Sequence, residues 1–317
     1  MYSRIIGSGG YLPARIMPNA ELEAMVDTSD EWIRSRTGIR QRHIAREDES
    51  TCDMAVAAAQ RALAGAAVDA DDIDLIVVAT STPDLIYPST ACLLQDRLGI
   101  RNGCGAFDVQ AVCSGFVYAL TVVDQFIKSG ACTRALVVGA DCNSKILDWS
   151  DRGTCVLFGD GAGAVIVAAG DEPGIYHSEI HADGSYADML KVPAGVSRPG
   201  GEPFVRMQGG EVFKFAVNIM GRMVGDVLEA AGMDKQDIDW LVPHQANRRI
   251  IAATAKKLAL PMDRVILTLE EHGNTSAASI PLALDIGIRD GRIRPGDVLL
   301  LEAVGGGFTW GAALLRY

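Results

Sequence analysis

The sequence contains no long hydrophobic run. No uninterrupted apolar stretch reaches the ~18 residues that a membrane-spanning helix needs. The first residues also lack the charged and then apolar pattern of a secretion signal, because Arg4, Ile5 and Ile6 lead directly into a glycine turn. Hydrophobic residues make up 49% of the chain and charged residues 22%, an ordinary globular composition. We therefore expect a soluble, cytoplasmic protein without a membrane partner.

Cysteine pairs and an excess of positive charge are missing as well. The seven cysteines are odd in number and no two form a CxxC pair, which argues against a disulfide framework and against a structural zinc site. The 29 Lys and Arg residues against 40 Asp and Glu residues leave a net charge of −11. This balance argues against nucleic acid as a partner, and any anionic partner would need a local basic patch.

No low-complexity linker interrupts the chain. Apolar β-branched runs alternate with helical patterns, which predicts an α/β protein. We expect strands at 75–79, 134–139, 164–168, 240–242, 298–302 and 311–315. We expect helices at 51–64, directly after Cys113, and at 211–231, 248–258 and 276–289. The stretch 183–210, which contains Gly and Pro residues, is predicted to be the longest loop.

The chain repeats its own pattern. The segment AVDADDIDLIVVAT at 67–80 resembles AGMDKQDIDWLVPHQ at 231–245. The run ALVVGAD followed by FGDGAGAVIVAA is echoed by VLLLEAVGGG followed by FTWGAALLRY, and the segment that carries Cys113 falls opposite 274–284. Three matches in the same order predict a duplicated α/β unit, with one half at 1–170 and the other at 171–317.

This duplication indicates where a functional site would form. Two matching halves bring the carboxyl ends of equivalent strands and the starts of equivalent helices together, and ligands bind in such crevices. Cys113 precedes a predicted helix, where unpaired N–H groups and the helix dipole favour a thiolate. Partners of this thiol are therefore expected in the second half. For a single such residue, a small buried hydrophobic cysteine is the alternative.

The second half places three polar features at the matching positions. His244 follows a short apolar run, Asn274 precedes an Ala-rich helix start, and the glycine triplet 305–307 follows a predicted strand. The N–H groups of such a triplet can donate to an oxyanion. Each feature alone has an ordinary explanation as a core histidine, an N-cap or a turn. Their convergence on Cys113 favours nucleophilic catalysis by a thiol.

Several longer motifs span nearly the whole chain in a fixed order. They are VDTSDEWIRSRTGIR (26–40), the cysteine segment, DRGTCVLFGDGAGA (151–164), WLVPHQANRRI (240–250), HGNTSAAS (272–279) and GGGFTWGAAL (305–314). With these motifs the chain resembles the thiolase-fold condensing enzymes, and closely the bacterial β-ketoacyl-acyl-carrier-protein synthase III family. The resemblance implies a thiolase-like fold, with two pseudo-symmetric α/β halves packed as layers of helices and mixed sheets.

The resemblance implies that Cys113, His244 and Asn274 form a catalytic trio. Cys113 would take the acyl group of an acyl-CoA, with the N–H groups of Cys113 and Gly306 as the oxyanion hole. Malonyl-acyl carrier protein would then bind and lose CO2, and His244 and Asn274 would stabilise the enolate. Attack of the carbanion on the acyl-cysteine would give 3-oxoacyl-acyl carrier protein, the ping-pong reaction that initiates fatty acid biosynthesis. No metal and no other cofactor is implied.

The family pattern also implies the residues that bind the two large substrates. The arm of CoA or phosphopantetheine would contact Thr28, Trp32, Arg36, Arg152, Gly209, Phe213 and Asn247. An amphipathic helix with a core Trp is the alternative for the segment around Trp32. The acyl carrier protein would dock beside His244 on a partly basic surface made of Gln245, Ala246, Asn247, Arg248, Arg249, Lys214, Lys256 and Lys257. A solvated helix face is the alternative for these charges.

Two positions depart from the commonest pattern of the family. Tyr87 and Val304 each stand where Phe is frequent, and the position of Tyr87 is expected to reach the acyl pocket of a partner subunit. We assign both residues to the acyl pocket. The starter group, whether acetyl, longer or branched, stays open. The family also implies a homodimer.

Three other functions are alternatives to the synthase reaction. A relative within the fold could make a secondary metabolite or a 3-hydroxy-3-methylglutaryl thioester, which the motifs at 272–279 and 305–314 disfavour. A papain-like hydrolase uses Cys, His and Asn in the same chain order, but its cysteine lies in a different local motif. A non-catalytic scaffold of this fold is the third alternative.

Overall fold

Two mixed β-sheets built from separate parts of the chain form the framework. The computed structural model describes residues 1–317. Its strands are β1 (Tyr2–Tyr11), β2 (Arg15–Pro18), β3 (Gln41–Ile44), β4 (Leu75–Ala79), β5 (Gly105–Val109), β6 (Arg134–Asp141), β7 (Gly161–Gly170), β8 (Ile175–Ala182), β9 (Leu190–Lys191), β10 (Arg206–Met207), β11 (Trp240–Pro243), β12 (Val298–Gly305) and β13 (Thr309–Arg316). Its helices are α1 (Asn19–Glu23), α2 (Asp30–Thr37), α3 (Thr51–Ala66), α4 (Thr90–Arg97), α5 (Gly115–Lys128), α6 (Gly209–Ala231), α7 (Arg248–Leu258), α8 (Leu269–His272) and α9 (Ser279–Arg289).

The two sheets repeat one strand order. The first runs β1-β7-β6-β4-β5, and the second, read from its other edge, runs β8-β13-β12-β11. In the first sheet the backbone N–H of Asp74 donates to the Arg134 carbonyl at 2.9 Å, and in the second Asp239 makes the same bond to Val298 at 2.9 Å. Each aspartate also accepts from the backbone N–H of that same partner. The register therefore makes Arg134 equivalent to Val298 and the last residue of β6, Asp141, equivalent to Gly305 of β12.

Helices separate and cover the sheets in layers. Phe116 of α5 and Ile280 of α9 belong to one buried cluster with Val77 of the first sheet and Leu301 of the second, so these two helices lie between the sheets. Ala58 of α3 packs on the outer face of the first sheet. The helices α6 and α7 cover the outer face of the second sheet in a separate core. The layered thiolase-like fold predicted from the sequence is confirmed.

Most elements predicted from hydrophobic pattern occur, but β1, β2, β3, β8 and α4 were not predicted. The predicted strands form the centres of β4, β6, β7, β11, β12 and β13. Strand β1 was missed because its glycines weaken the strand pattern; a Cβ on Gly9 would lie 2.4 Å from the Ala58 carbonyl oxygen of α3, so close packing requires glycine there. Within the predicted loop 183–210, β9 pairs with β10 and α6 begins at Gly209.

Local sequence signals explain where key helices begin. Ser50 and Asp53 form a reciprocal capping box at the start of α3, and the Asn247 side chain caps α7. The helix predicted at 276–289 starts instead at Ser279, because Ser276 has a φ of 51° and leads into one turn of 3-10 helix. No helix in the structure is both long and apolar enough to cross a membrane.

Candidate active site

Cys113 lies in a strained turn between β5 and α5. The turn is one 3-10 helix, Val112–Ser114, in which Val112 has a φ of 49°, a left-handed conformation that is unfavourable for a β-branched residue. The Ala111 carbonyl accepts from the Ser114 hydroxyl at 2.7 Å and from the Thr309 hydroxyl of β13 at 2.9 Å. Such strain persists where surrounding contacts impose it, commonly at functional sites. Both halves of the chain therefore hold the cysteine turn in place.

The environment of the thiol differs from the one expected. Cys113 is 4% exposed, and burial raises the pKa of its thiol to about 12. The Ser276 hydroxyl and the Cys113 backbone lower that pKa, whereas the negative charge of Asp141 raises it. Desolvation of the charged form thus outweighs the helix start that was expected to favour a thiolate.

The turn between β12 and β13 packs closely against the backbone of Cys113. A Cβ on Gly305 would lie 2.8 Å from the Cys113 nitrogen and 2.8 Å from the Ala111 oxygen. The next residue, Gly306, packs against the Leu190 carbonyl, where a Cβ would lie at 3.0 Å. The two turns therefore pack backbone against backbone, and no side chain of residue 305 stands beside the Cys113 N–H.

His244 lies at the carboxyl end of β11. Its backbone N–H donates to the Glu302 carbonyl of the neighbouring parallel strand at 2.8 Å, so it shares a sheet edge with the glycine turn. The ring is buried and its Nδ1 has no hydrogen-bond partner. Burial lowers the pKa of His244 to about 3. The imidazole is therefore neutral at neutral pH and offers a hydrogen bond without a charge.

Asn274 lies immediately before a second strained turn. Its backbone N–H donates to the Leu157 carbonyl at 2.8 Å, and its own carbonyl accepts from Gly159 at 3.0 Å. Its side-chain Oδ1 accepts from the Ser276 backbone N–H at 2.9 Å. This bond resembles the capping role that was the alternative for Asn274, and it also leaves the Nδ2 group as the available donor.

An apolar cavity of about 590 Å³ adjoins Cys113. Its lining includes Ile146, Phe158, Leu190, Val192, Val205 and the hydroxyl-bearing Ser276. Neither residue assigned to the acyl pocket belongs to this lining. Tyr87 is 84% exposed on the chain surface. Val304 packs against the cluster of Ala216, Met220 and Ile250, as Phe213 also does.

The residues expected to bind the CoA arm form three local contacts. The Arg152 guanidinium lies 4.9 Å from the centre of the Trp32 ring, and the buried hydroxyl of Thr28 has no partner. The Asn247 amide donates to the Arg36 carbonyl at 3.0 Å, which joins the end of α2 to the start of α7. Phe213 lies under Arg249, 5.1 Å from ring centre to guanidinium, and Gly209 is the first residue of α6.

The surface expected to dock a carrier protein needs one correction. Gln245 is fully buried: its amide donates to the Pro243 and Ile266 carbonyls, and its oxygen accepts from the N–H groups of Thr268 and Leu269. It holds the segment after β11 in place and cannot meet another protein. Sequence reasoning failed here because a polar residue between His244 and an exposed helix looks like a surface residue.

The basic residues of that surface differ in their exposure and in their hydrogen-bond and ion-pair partners. Arg248, Arg249 and Lys256 are exposed on α7, and Ala246 and Asn247 are partly exposed before it. Lys214 is paired with Glu211 at 2.8 Å. The Lys257 ammonium instead crosses α6 over Gly221 and donates to the Val217 carbonyl at 2.5 Å. Lys257 therefore joins α6 to α7 through its own side chain.

Two residues beside the thiol were missed by sequence reasoning. Asp141 at the end of β6 and Ser276 in the second turn are both buried, and both act on the pKa of Cys113. Aligning the repeats strand by strand would have pointed to both positions. Asp141 is the counterpart of Gly305, and Ser276 directly precedes Ala277, the counterpart of Cys113.

The fold and the site define a class. Two layered α/β halves with a buried thiol at a central helix start, facing a glycine turn of the other half, are those of a thiolase-fold condensing enzyme. Two family profiles match the chain: 3-oxoacyl-[acyl-carrier-protein (ACP)] synthase III over residues 107–184 and its C-terminal part over residues 228–317. The chain belongs to the β-ketoacyl-acyl-carrier-protein synthase III family.

Individual relatives agree with this membership. The synthase III of Thiobacillus denitrificans is 62% identical, over 100% of this chain and 99% of the relative, and that of Thioalkalivibrio sulfidiphilus is 60% identical with the same coverage. The crystal structure of 3-oxoacyl-[acyl-carrier-protein] synthase III from Aquifex aeolicus matches with a TM-score of 0.94 at 48% identity, covering 99% of this chain and 100% of the other.

Proposed function

We propose that the protein condenses an acyl-CoA with malonyl-acyl carrier protein, with loss of CO2, and so initiates fatty acid biosynthesis. The observation that carries the proposal is the position of Cys113. Its thiol opens on an apolar cavity of about 590 Å³, and its backbone N–H faces a glycine of the opposite half. A thioester carbonyl can therefore approach the sulfur with its oxygen at that N–H and its alkyl group in the cavity.

In the first half-reaction Cys113 attacks the thioester of acyl-CoA. The N–H groups of Cys113 and Gly306 stabilise the oxyanion, and CoA leaves as the acyl group passes to sulfur. Trp32, Arg36 and Arg152 hold the nucleotide end of CoA, while Thr28, Gly209, Phe213 and Asn247 line the path of the arm. Phe213 and Val304 pack against the same cluster of Ala216, Met220 and Ile250, so we expect Val304 to affect the inner end of this path.

In the second half-reaction the malonyl group loses CO2 beside His244 and Asn274. The neutral imidazole and the amide Nδ2 donate to the thioester oxygen of the enolate. Because neither group is charged, neither repels the carbanion as a carboxylate would. The carbanion then attacks the acyl group on Cys113 and releases the 3-oxoacyl product. No step requires a metal or an organic cofactor.

Two features of assembly belong to the proposal. The halves 1–170 and 171–317 act as one unit, since the thiol comes from the first and its donors from the second. Leu85, Ile86 and Tyr87 expose three large apolar side chains in succession, which supports a homodimer in which this segment is covered. The starter acyl group is not assigned.

The experiment that tests the reaction is intact-protein mass spectrometry. After mixing with acetyl-CoA, the protein should gain one acetyl group, and addition of malonyl-acyl carrier protein should remove it with release of CO2. The His244→Ala and Asn274→Ala variants should still gain the adduct but discharge it at least about 100-fold more slowly. The matched control His177→Ala, on an outer strand, should behave as wild type. Absence of any adduct on the wild-type chain would reject the proposal.

A second experiment tests the carrier-protein surface. Arg249 is exposed near the start of α7, five residues after His244, so Arg249→Glu should weaken use of malonyl-acyl carrier protein by about 10-fold, because steering depends on local charge. Loading of Cys113 from acetyl-CoA should be nearly unchanged. Arg294→Glu is the control, since Arg294 is exposed outside this surface. Equal loss in both half-reactions would remove Arg249 from the docking surface.

A further inference from the structure

Arg42 of β3 carries a positive charge into the protein interior without an acidic partner. The side chain is fully buried and forms no ion pair with a carboxylate. Burial lowers the pKa of Arg42 to about 10, so the guanidinium stays charged at neutral pH. A buried charge without a counter-charge costs free energy unless hydrogen bonds compensate for its lost hydration. The acceptors around Arg42 therefore have to stay in fixed positions.

The guanidinium joins the N-terminal segment to the middle of the chain. Its Nη1 donates to the Met17 carbonyl at 3.2 Å and to the Asn19 Oδ1 at 2.8 Å. Its Nη2 donates to the Val156 carbonyl at 2.8 Å. A planar guanidinium with fixed donor directions can bridge acceptors on two sides, whereas an ammonium group is a compact point charge. The backbone at Val156 is therefore tied to the segment 17–19 through Arg42.

The stem of Arg42 packs against the backbone beside Asn274. A Cβ on Gly159 would lie 3.0 Å from the Arg42 Cβ, and a Cβ on Gly273 would lie 3.1 Å from it. Gly273 directly precedes Asn274, and the Gly159 N–H donates to the Asn274 carbonyl at 3.0 Å. Arg42 thus contacts both backbone segments that flank Asn274.

The position of Asn274 depends on the segment that Arg42 binds. The Asn274 N–H donates to the Leu157 carbonyl at 2.8 Å, and Phe158 forms a parallel bridge with Asn274. Leu157 directly follows Val156, the acceptor of the guanidinium. One hydrogen bond, one step along the chain and a second hydrogen bond therefore connect Arg42 to the backbone of Asn274.

We propose that Arg42 is a positioning residue that holds Asn274 in place through the backbone of 156–159. Because Arg42 is fully buried, it acts on the reaction through Asn274 and not through contact with a substrate. This inference rests on the proposed function, in which the Asn274 amide donates to the enolate only after Cys113 has been acylated. Loss of the Arg42 bridge should therefore slow the second half-reaction and spare the first.

The test compares Arg42→Lys with wild type at a temperature where urea denaturation shows both to be folded. Lysine keeps the charge but not the planar bridge. Loading of Cys113 from acetyl-CoA should change by less than about twofold, and discharge by malonyl-acyl carrier protein should slow at least about 10-fold, because a displaced Asn274 donates poorly. The matched control is Arg134→Lys, which should leave both rates unchanged. Arg134 also has a buried Nε without a partner, and it pairs with Asp72 at 3.1 Å.

A double variant separates positioning from general damage. In the Asn274→Ala background, Arg42→Lys should slow discharge no further, because both changes remove the same interaction. An additional loss as large as that of Arg42→Lys alone would show that Arg42 acts elsewhere and would overturn the proposal. Equal slowing of loading and discharge by Arg42→Lys would overturn it as well.

Hydrogen exchange gives a readout that needs no substrate. The amides of Gly159 and Asn274 should exchange at least about 10-fold faster in Arg42→Lys than in wild type or Arg134→Lys. Unchanged exchange, or unchanged discharge, would contradict the inference. Faster exchange in a protein whose wild type takes up no acetyl group would instead reject the proposed function and leave the contact between Arg42 and the Asn274 backbone supported.

A second substitution covers a failure of Arg42→Lys to fold. Arg42→Gln removes the buried charge and with it the cost of desolvation, so it takes the place of Arg42→Lys in the same measurements. If neither variant folds, Arg42 acts on the whole fold and not on Asn274, and the proposal is wrong.

Discussion

The two central helices begin with the same backbone and different chemistry. Val112 and Ser276 have φ of 49° and 51°, and each opens a 3-10 turn that leads into α5 or α9. The next residue is Cys113 in the first half and Ala277 in the second. In front of the Ala277 N–H lies the carboxyl group of Asp141, at 3.1 Å. In front of the Cys113 N–H lies Gly305, which has no side chain.

This difference teaches how a duplicated fold acquires one site. Asp141 and Gly305 occupy equivalent ends of β6 and β12, so both halves build the same acceptor position at a helix start. In the first half this position holds Asp141, whose carboxyl group accepts from the Ala277 N–H of the second half. The second half places Gly305 there, which has no side chain, and our proposal puts the oxyanion of the substrate at this N–H group. If the proposed function is correct, we expect this single side chain to distinguish a structural turn from a catalytic one.

The largest effect is expected from adding a side chain at Gly305. In Gly305→Ala a Cβ would stand 2.8 Å from the Cys113 nitrogen, where the oxyanion should lie. We expect acylation by acetyl-CoA to slow at least about 100-fold, the usual loss when an oxyanion donor is removed. Rapid-quench mass spectrometry measures this rate directly.

The control for that prediction lies in the other half. In Gly139→Ala a Cβ would lie 2.2 Å from the Ala277 carbonyl oxygen, which should lower stability by about 1–3 kcal/mol through overpacking. Its effect on the acylation rate at a temperature where the protein remains folded should be smaller than that of Gly305→Ala. Equal rate losses would mean that the two turns are not functionally distinct.

The next effect concerns Asp141, the counterpart of Gly305 in the first half. Asp141→Ala leaves the N–H groups of Ala277 and Ser81 without their acceptor, so the free energy of unfolding should fall by about 2–5 kcal/mol. Urea denaturation measures the change. The control is Asp234→Ala, which removes only an exposed turn cap and should cost about 1 kcal/mol. A loss at Asp141 no greater than at Asp234 would contradict the structural role of the carboxyl group.

The last effect is a dependence of stability on pH. Glu302 of β12 is the counterpart of Val138 in β6, and neither of its carboxylate oxygens has a partner. Burial raises the pKa of Glu302 to about 8. An unfolded Glu ionises at lower pH, so the folded state loses stability as pH rises from the unfolded pKa of about 4.3 toward 8.

The Glu302→Gln variant tests this sign. It removes the ionisable group, so its stability relative to wild type should increase as pH is raised from about 5 to about 8 and then level off. Urea titrations of both proteins at each pH give the difference. A difference that stays constant with pH would mean that Glu302 is ionised in the folded protein.

The sequence was sufficient for those features that depend on pattern. Apolar runs predicted the central strands, and the offset repeats led from Cys113 to His244, Asn274 and the glycine turn. The sequence was insufficient for those features of the site that depend on which side chains are buried. The buried state of Gln245, the raised pKa of Cys113 and the bond from Lys257 to Val217 depend on neighbours that are distant in the chain. The role of Asp141 was missed because its partner, Ala277, carries no functional group to draw attention.

The most direct test of the account gives the second turn its own thiol. The Ala277→Cys variant should be incubated with acetyl-CoA, digested, and its peptides weighed. We predict that acetyl appears on the peptide with Cys113 and not on the peptide with position 277, because the Asp141 carboxyl group occupies the acceptor position there. Acetyl on the position-277 peptide at a comparable rate would contradict the claim that one open acceptor position makes the first turn catalytic.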